Sequence, residues 1–134
     1  MILVDSSVWI DFFGRYPGRA ASELKQLIER AEPLGLTGVV VAEVLQGLTR
    51  NVDQIEQYLS QWELLEPSGA GTYQHAARIY RTARASGLTL TTIDTIIAAI
   101  SLEHRATLFT IDEDFSRLSR ITELSLYPHR ERPQ

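Results

Sequence analysis

Four acidic side chains stand in apolar company along this chain. Asp5 directly follows Ile2-Leu3-Val4. Glu43 interrupts a run that has Val39-Val40-Val41-Ala42 before it and Val44-Leu45 after it. Asp94 stands just ahead of Thr95-Ile96-Ile97-Ala98-Ala99-Ile100, and Asp112 follows Thr107-Leu108-Phe109-Thr110-Ile111. Taken singly, three of them have ordinary uses. An Asp after a strand commonly caps the next turn or helix, and an Asp in a helix's first turn is favoured by the macrodipole. Glu43 resists that account, because a bare carboxylate is expensive to bury. No Lys or Arg lies in the apolar stretches around the four. If they converge, two like charges about 4 Å apart cost roughly 4 kcal/mol at an effective dielectric near 20. Such a cluster persists when some carboxyls hold protons or a cation neutralises them. Oxygen ligands without Cys or His select magnesium, with manganese as the alternative ion. A cation held there polarises a phosphate and lowers the pKa of a bound water.

The elements that must position these acids alternate between strand and helix. Ile2-Leu3-Val4 is a short buried strand, and Ser6 or Ser7 is placed to cap a helix carrying Val8, Trp9, Phe12 and Phe13. Gly14 and Pro17-Gly18 break it. Helical spacing recurs from Ala20 to Ala31, and Leu34 to Thr37 is a weak strand. The run from Val39 to Leu48 suits a strand or a buried helix; the four-residue repeat of Val40, Val44 and Leu48 favours helix from Val40. Val52 to Trp62 is amphipathic, Leu64-Leu65 is a candidate strand, and Thr72 to Ser86 is a long helix stopped by Gly87. Ile93, Ile96, Ile97 and Ile100 share a helix face. Thr107 to Ile111 is the clearest strand, a short helix spans Phe115 to Leu118, and Leu124 to Tyr127 is a last edge strand. Strands separated by helices imply an α/β fold with a mainly parallel sheet covered on both faces. In such sheets, sites lie beyond the carboxyl ends of strands, where Asp5 and Asp112 stand.

The 134 residues fit one domain, expected over 1–127 with a loose polar tail over 128–134. The absence of cysteine excludes disulfides, zinc–thiolate sites and cysteine nucleophiles. The N-terminus lacks the basic n-region of a signal peptide, and no apolar stretch approaches the roughly 20 residues that span a bilayer. A soluble, cytoplasmic protein without membrane contact is expected. A net charge of −4 speaks against a protein that coats nucleic acid by charge alone. It does not speak against an enzyme whose metal meets the phosphate.

At these residues the chain resembles the PIN-domain family. Asp5-Ser6-Ser7-Val8-Trp9-Ile10-Asp11 is similar to its opening motif, and Ala42-Glu43-Val44-Leu45-Gln46-Gly47 to its second. Asp94-Thr95-Ile96-Ile97-Ala98-Ala99 is similar to the third, and Thr110-Ile111-Asp112-Glu113-Asp114-Phe115 to the fourth. Length and opening motif look most like the VapC-type toxins of toxin–antitoxin pairs. That resemblance implies a three-layer α/β/α sandwich, a Mg²⁺-dependent endoribonuclease acting on RNA, a homodimer, and a small antitoxin as partner. It implies that Asp5 and Asp94 ligate the metal, that Glu43 and Asp112 complete the acidic pocket, and that Ser7 and Thr110 hold carboxylates by hydrogen bonds. It leaves Asp114 without a role.

Other residues divide less sharply. Arg78, Arg81 and Arg84 recur every three residues and suit either an RNA backbone or a solvated helix face. Trp9, Phe12 and Phe13 supply at least two core residues, leaving one aromatic for an interface. His75, His104 and His129 have no metal-ligand spacing and are structural or surface residues. Without a partnering His, Ser6 and Ser7 are helix caps rather than nucleophiles. An aspartyl-phosphate phosphatase needs a second Asp at position 7, which is Ser; a receiver domain needs a late Lys, and Lys25 is the sole lysine. A non-catalytic PIN-fold module binding RNA or protein is the remaining alternative, and a complete acidic quartet argues against it.

Overall fold

The computed structural model describes residues 1–128; the tail from His129 onward lies outside them. The first strand, β1 (Ile2–Val4), buries Leu3 and Val4 completely, as a strand covered on both faces must. It runs into α1 (Ser6–Phe12), α2 (Arg19–Glu29), β2 (Leu34–Leu36), α3 (Gly38–Gln46), α4 (Val52–Leu59) and β3 (Glu63–Leu64). Then follow α5 (Ala70–Ala85), α6 (Thr92–Glu103), β4 (Thr107–Phe109) and α7 (Glu113–Ser119). The strands lie in the order β3-β2-β1-β4, and every pairing is parallel. Parallel neighbours need crossovers, which the helices supply. The result is the α/β/α sandwich expected, with Leu3, Val4, Leu36, Leu108 and Phe109 of the sheet packed against Val8, Leu24, Val44 and Ile97 of the helices.

Several boundaries shift. Thr37 caps α3, its hydroxyl accepting the Val40 N–H at 3.2 Å, so the helix starts at Gly38 rather than Val40. Pairing in β3 falls on Glu63–Leu64, one residue ahead of Leu64-Leu65, though the Leu65 N–H still donates to the Leu36 carbonyl. β4 stops at Phe109 because Thr110 and Asp112 turn into the site. The expected edge strand over Leu124–Tyr127 is reduced to one parallel bridge between Leu108 and Leu126, bonded through Leu108 N–H to Ser125 and Tyr127 N–H to Leu108.

The aromatic expectation is also revised. Trp9 is fully buried, stacked 5.7 Å from Phe13 and tilted against Trp62 at 5.2 Å, while Phe12 and Phe13 are half-buried around it. The exposed apolar residue of α1 is Ile10 instead. Asp11, an acid of the first motif, has a purely structural use. Its carboxylate accepts the N–H groups of Gly18 and Ala21, the latter at 2.8 Å, and so caps α2 from a neighbouring helix where Gly18 has no side chain to do it. Caps of this kind contribute about 1 kcal/mol.

Candidate metal centre

The strand order brings the acids together. β1 lies beside β4 with Val4 opposite Phe109, and the Asp5 N–H donates to the Phe109 carbonyl at 2.9 Å. The residues that follow the two strands, Asp5 and Thr110 to Asp112, therefore leave the sheet side by side, at the carboxyl ends where sites form. Asp94 arrives on the first turn of α6, whose cap Thr91 accepts the Asp94 N–H at 3.1 Å. Glu43 arrives from the middle of α3.

Hydroxyl groups hold these carboxylates. Asp5 is only 4% exposed, and its Oδ2 accepts from Ser7 Oγ and from Thr110 Oγ1, each at 2.8 Å. Ser7 Oγ in turn accepts the Ile111 N–H at 3.2 Å, and Thr110 Oγ1 accepts the Asp112 N–H at 3.0 Å. The support expected from Ser7 and Thr110 is thus present. The capping expected from Ser6 and Ser7 is not: Asp5 is itself the N-cap residue, without a side-chain cap bond, and the serines begin the helix. Their hydroxyls are spent on carboxylates. Ser6 Oγ donates to Glu43 Oε1 at 2.8 Å, tying α1 to α3.

Asp112 is the N-cap of α7, its Oδ1 accepting the Asp114 N–H at 2.9 Å. Asp94, Asp112 and Asp114 each present one carboxylate oxygen, all within 4.8 Å of one another. Oxygens around Mg²⁺, bonded at 2.0–2.1 Å, sit about 3–4 Å apart, so this set fits a hard divalent cation after slight contraction. Asp114 was the acid without a role; two-residue spacing does not put side chains on one helix face, and only the cap position of Asp112, outside the helix, lets the two converge. Asp5 and Glu43 are felt from beside that set. Burial pushes the Asp94 carboxyl upward, Thr91 opposes this, and repulsion by Asp112, Asp5 and Glu43, in that order, adds to the rise. Among the described residues none of the four expected acids pairs with Lys or Arg. Asp114 alone meets Arg117, at 3.4 Å on the surface, a contact worth at most about 1 kcal/mol and too weak to withhold the carboxylate.

Asp5 is likewise raised above its ordinary value of 3.8, by burial first, with the Ser7 and Thr110 hydroxyls opposing. The sign follows from linkage. Between 3.8 and the raised native value, the folded chain keeps a proton that the unfolded chain has released, so stability falls as pH rises. Asp5→Asn removes that penalty. In EDTA the variant is expected to melt above wild type at pH 7, with the gap closing as pH falls below the ordinary carboxylate value. A gap of constant size across pH 3 to 7, checked by thermal melts, would rule the burial cost out.

His104 Nε2 lies 2.7 Å from the Glu66 carbonyl, His75 is half-buried on α5, and neither touches the acids; His129 lies outside the described residues.

The model of the PIN domain matches residues 2–121. The chain belongs to the PIN-domain family. Within that family it is 34% identical to ribonuclease VapC11 of Mycobacterium tuberculosis (strain ATCC 25618 / H37Rv) over 128 residues, 92% of this chain and 96% of that protein. This PIN domain is therefore of the VapC type. Solved structures carry the same fold. VapBC2 from Rickettsia felis, bound to a DNA fragment from its promoter, superimposes with a TM-score of 0.74 at 20% identity, covering 95% of this chain and 98% of that one. A toxin–antitoxin complex from Klebsiella pneumoniae gives a TM-score of 0.62 at 26% identity, over 87% and 91%. Among the described residues of this PIN domain, no helix is long and apolar enough to cross a membrane.

Proposed function

We propose that this VapC-type PIN domain is a metal-dependent endoribonuclease and the toxin of a toxin–antitoxin pair. The observation that carries it is the convergence of Asp94, Asp112 and Asp114 within 4.8 Å of one another, beside a buried Asp5. The support from relatives is the 34% identity to a ribonuclease over nearly the whole chain. Asp5 and Asp94 hold the ion, and Asp112 and Asp114 close the ligand set. Mg²⁺, or Mn²⁺ in its place, supplies neutralisation of the phosphate charge and a lowered pKa for water. Ser7 and Thr110 fix Asp5, and Ser6 fixes Glu43 through Oε1. The other oxygen of Glu43 takes the proton of the attacking water. That water oxygen bonds to phosphorus as the bond to O3′ breaks, and the departing O3′ takes a proton from solvent water, leaving a 5′-phosphate and a 3′-hydroxyl. The partner protein is a small antitoxin, the active form a homodimer, and the protein acts in the cytoplasm.

Purified protein incubated with structured RNA and Mg²⁺ is expected to cut it, to stop in EDTA, and to leave 5′-phosphate ends. Chemical typing of the products decides the point: a 2′,3′-cyclic phosphate would exclude hydrolysis by water, and no cleavage with either ion would leave a binding module.

A further inference from the structure

Helix α5 is a basic element in an acidic chain. It carries Arg78, Arg81 and Arg84 and no Asp or Glu, whereas the chain as a whole has a net charge of −4. All three arginines are exposed, and among the described residues none forms an ion pair. Helix α6 packs along α5. Between them runs a groove of about 540 Å³, lined by Tyr73, Tyr80 and Arg81 from α5 and by Thr92, Thr95 and Ile96 from α6. Thr92 and Thr95 share the first turn of α6 with Asp94; no site acid lines the groove, so an RNA strand seated there passes over the end of α6 to reach the acids. Tyr73 is 51% exposed and lines this groove, so its ring is open to a ligand there.

This combination matches one kind of ligand. An unpaired nucleotide offers a flat base that stacks on an aromatic face and a phosphate that meets a guanidinium. Arg84, four residues beyond Tyr80 and seven beyond Ala77, continues the positive track along the groove face. A second copy of the chain fits the charge less well. A two-fold contact is isologous, and where its axis passes along α5 it brings together two helices with three arginines and no acid each.

We propose that the α5–α6 groove seats a single-stranded RNA segment beside the acidic centre, with a base against Tyr73 and Tyr80 and a phosphate on Arg81. This rests on the ribonuclease function proposed above. Arg78 faces elsewhere, lining a separate cavity with His75, Ile79 and Thr82, and provides a control of equal charge.

Fluorescence anisotropy of a labelled single-stranded RNA of mixed sequence, titrated with the full chain in EDTA, reads binding without turnover. Tyr73→Ala is expected to weaken binding roughly 5- to 150-fold, the range for losing one base–aromatic stack, and Tyr73→Phe to restore it. Arg81→Glu is expected to weaken binding and to flatten its salt dependence by about one phosphate. Arg78→Glu, with the same change in net charge, is expected to bind like wild type. The seat is overturned by no anisotropy change at wild-type concentrations up to about 10⁻⁴ M, by groove variants that bind normally, or by an Arg78→Glu loss equal to that of Arg81→Glu. It is also overturned if Tyr73→Ala or Arg81→Glu turns a dimer into a monomer on sedimentation, since the groove is then an interface between copies. Cleavage of the same RNA in Mg²⁺ separates the two ideas. A wild type that cuts while the groove variants bind normally removes the seat alone; a wild type that cuts neither this RNA nor the structured RNA above removes the ribonuclease.

Discussion

Asp94→Asn is expected to abolish RNA cleavage while leaving the fold intact. The magnitude follows from comparison. Groups that only support metal ligands cost about 10–100-fold when removed, so loss of a carboxylate from the converging set exceeds that range. The fold survives because Thr91 caps α6 through the backbone N–H of residue 94, not through its side chain, and an amide has the carboxylate's shape. The stability readout is sharper still. Without metal, the substitution removes a charge that Asp112, Asp5 and Glu43 all repel, so the melting temperature should hold or rise. With metal, wild type should gain up to about 2.7 kcal/mol at a concentration of 100 Kd, and the variant should gain little. An Asn variant that keeps either cleavage or the metal-induced shift would show that the acids are not a metal centre.

The second large effect is expected far from the phosphate. Trp9→Ala should destabilise the protein by about 3–5 kcal/mol, the usual cost of truncating a buried large aromatic. That lowers the melting temperature by roughly 10 °C or more for a chain of this size. Trp9 is completely buried and sits among Phe12, Phe13 and Trp62 at 5.2–5.7 Å, so the void has no nearby chain end to fill it. One detail tempers the loss: the indole Nε1 is buried without a hydrogen-bond partner, and deleting an orphaned donor recovers about 1–3 kcal/mol. The expectation is therefore at the lower end of the range. Urea unfolding measures it, and a loss below 1 kcal/mol would mean that this aromatic cluster does not hold α1 to the sheet. The position matters to the site as well, because Ser6 and Ser7 ride on the same helix as Trp9.

Much of this protein is written in local order. Ile2-Leu3-Val4 and Thr107-Leu108-Phe109 announce buried strands through short β-prone runs; the first ends directly before Asp5 and the second a few residues before Asp112. Helices α2, α5 and α6 follow from spacing of three and four, since one turn of helix repeats within a handful of residues. The motifs around Asp5, Glu43, Asp94 and Asp112 are equally local, and they carried the family. What such windows cannot hold is a contact between residues far apart. Ser6 faces Glu43 across 37 positions and Thr110 faces Asp5 across 105, so hydroxyls that resemble helix caps in the chain serve as clamps in the fold. Asp11 looks like one more acid of the first motif until Gly18 and Ala21 come round to its carboxylate. Asp114 joins Asp94 and Asp112 only because β4 ends beside β1 and delivers the start of α7 to α6. Periodicity reports which side of an element avoids water. Which side chains then meet is settled by strand order, and strand order is a property of the whole packed chain.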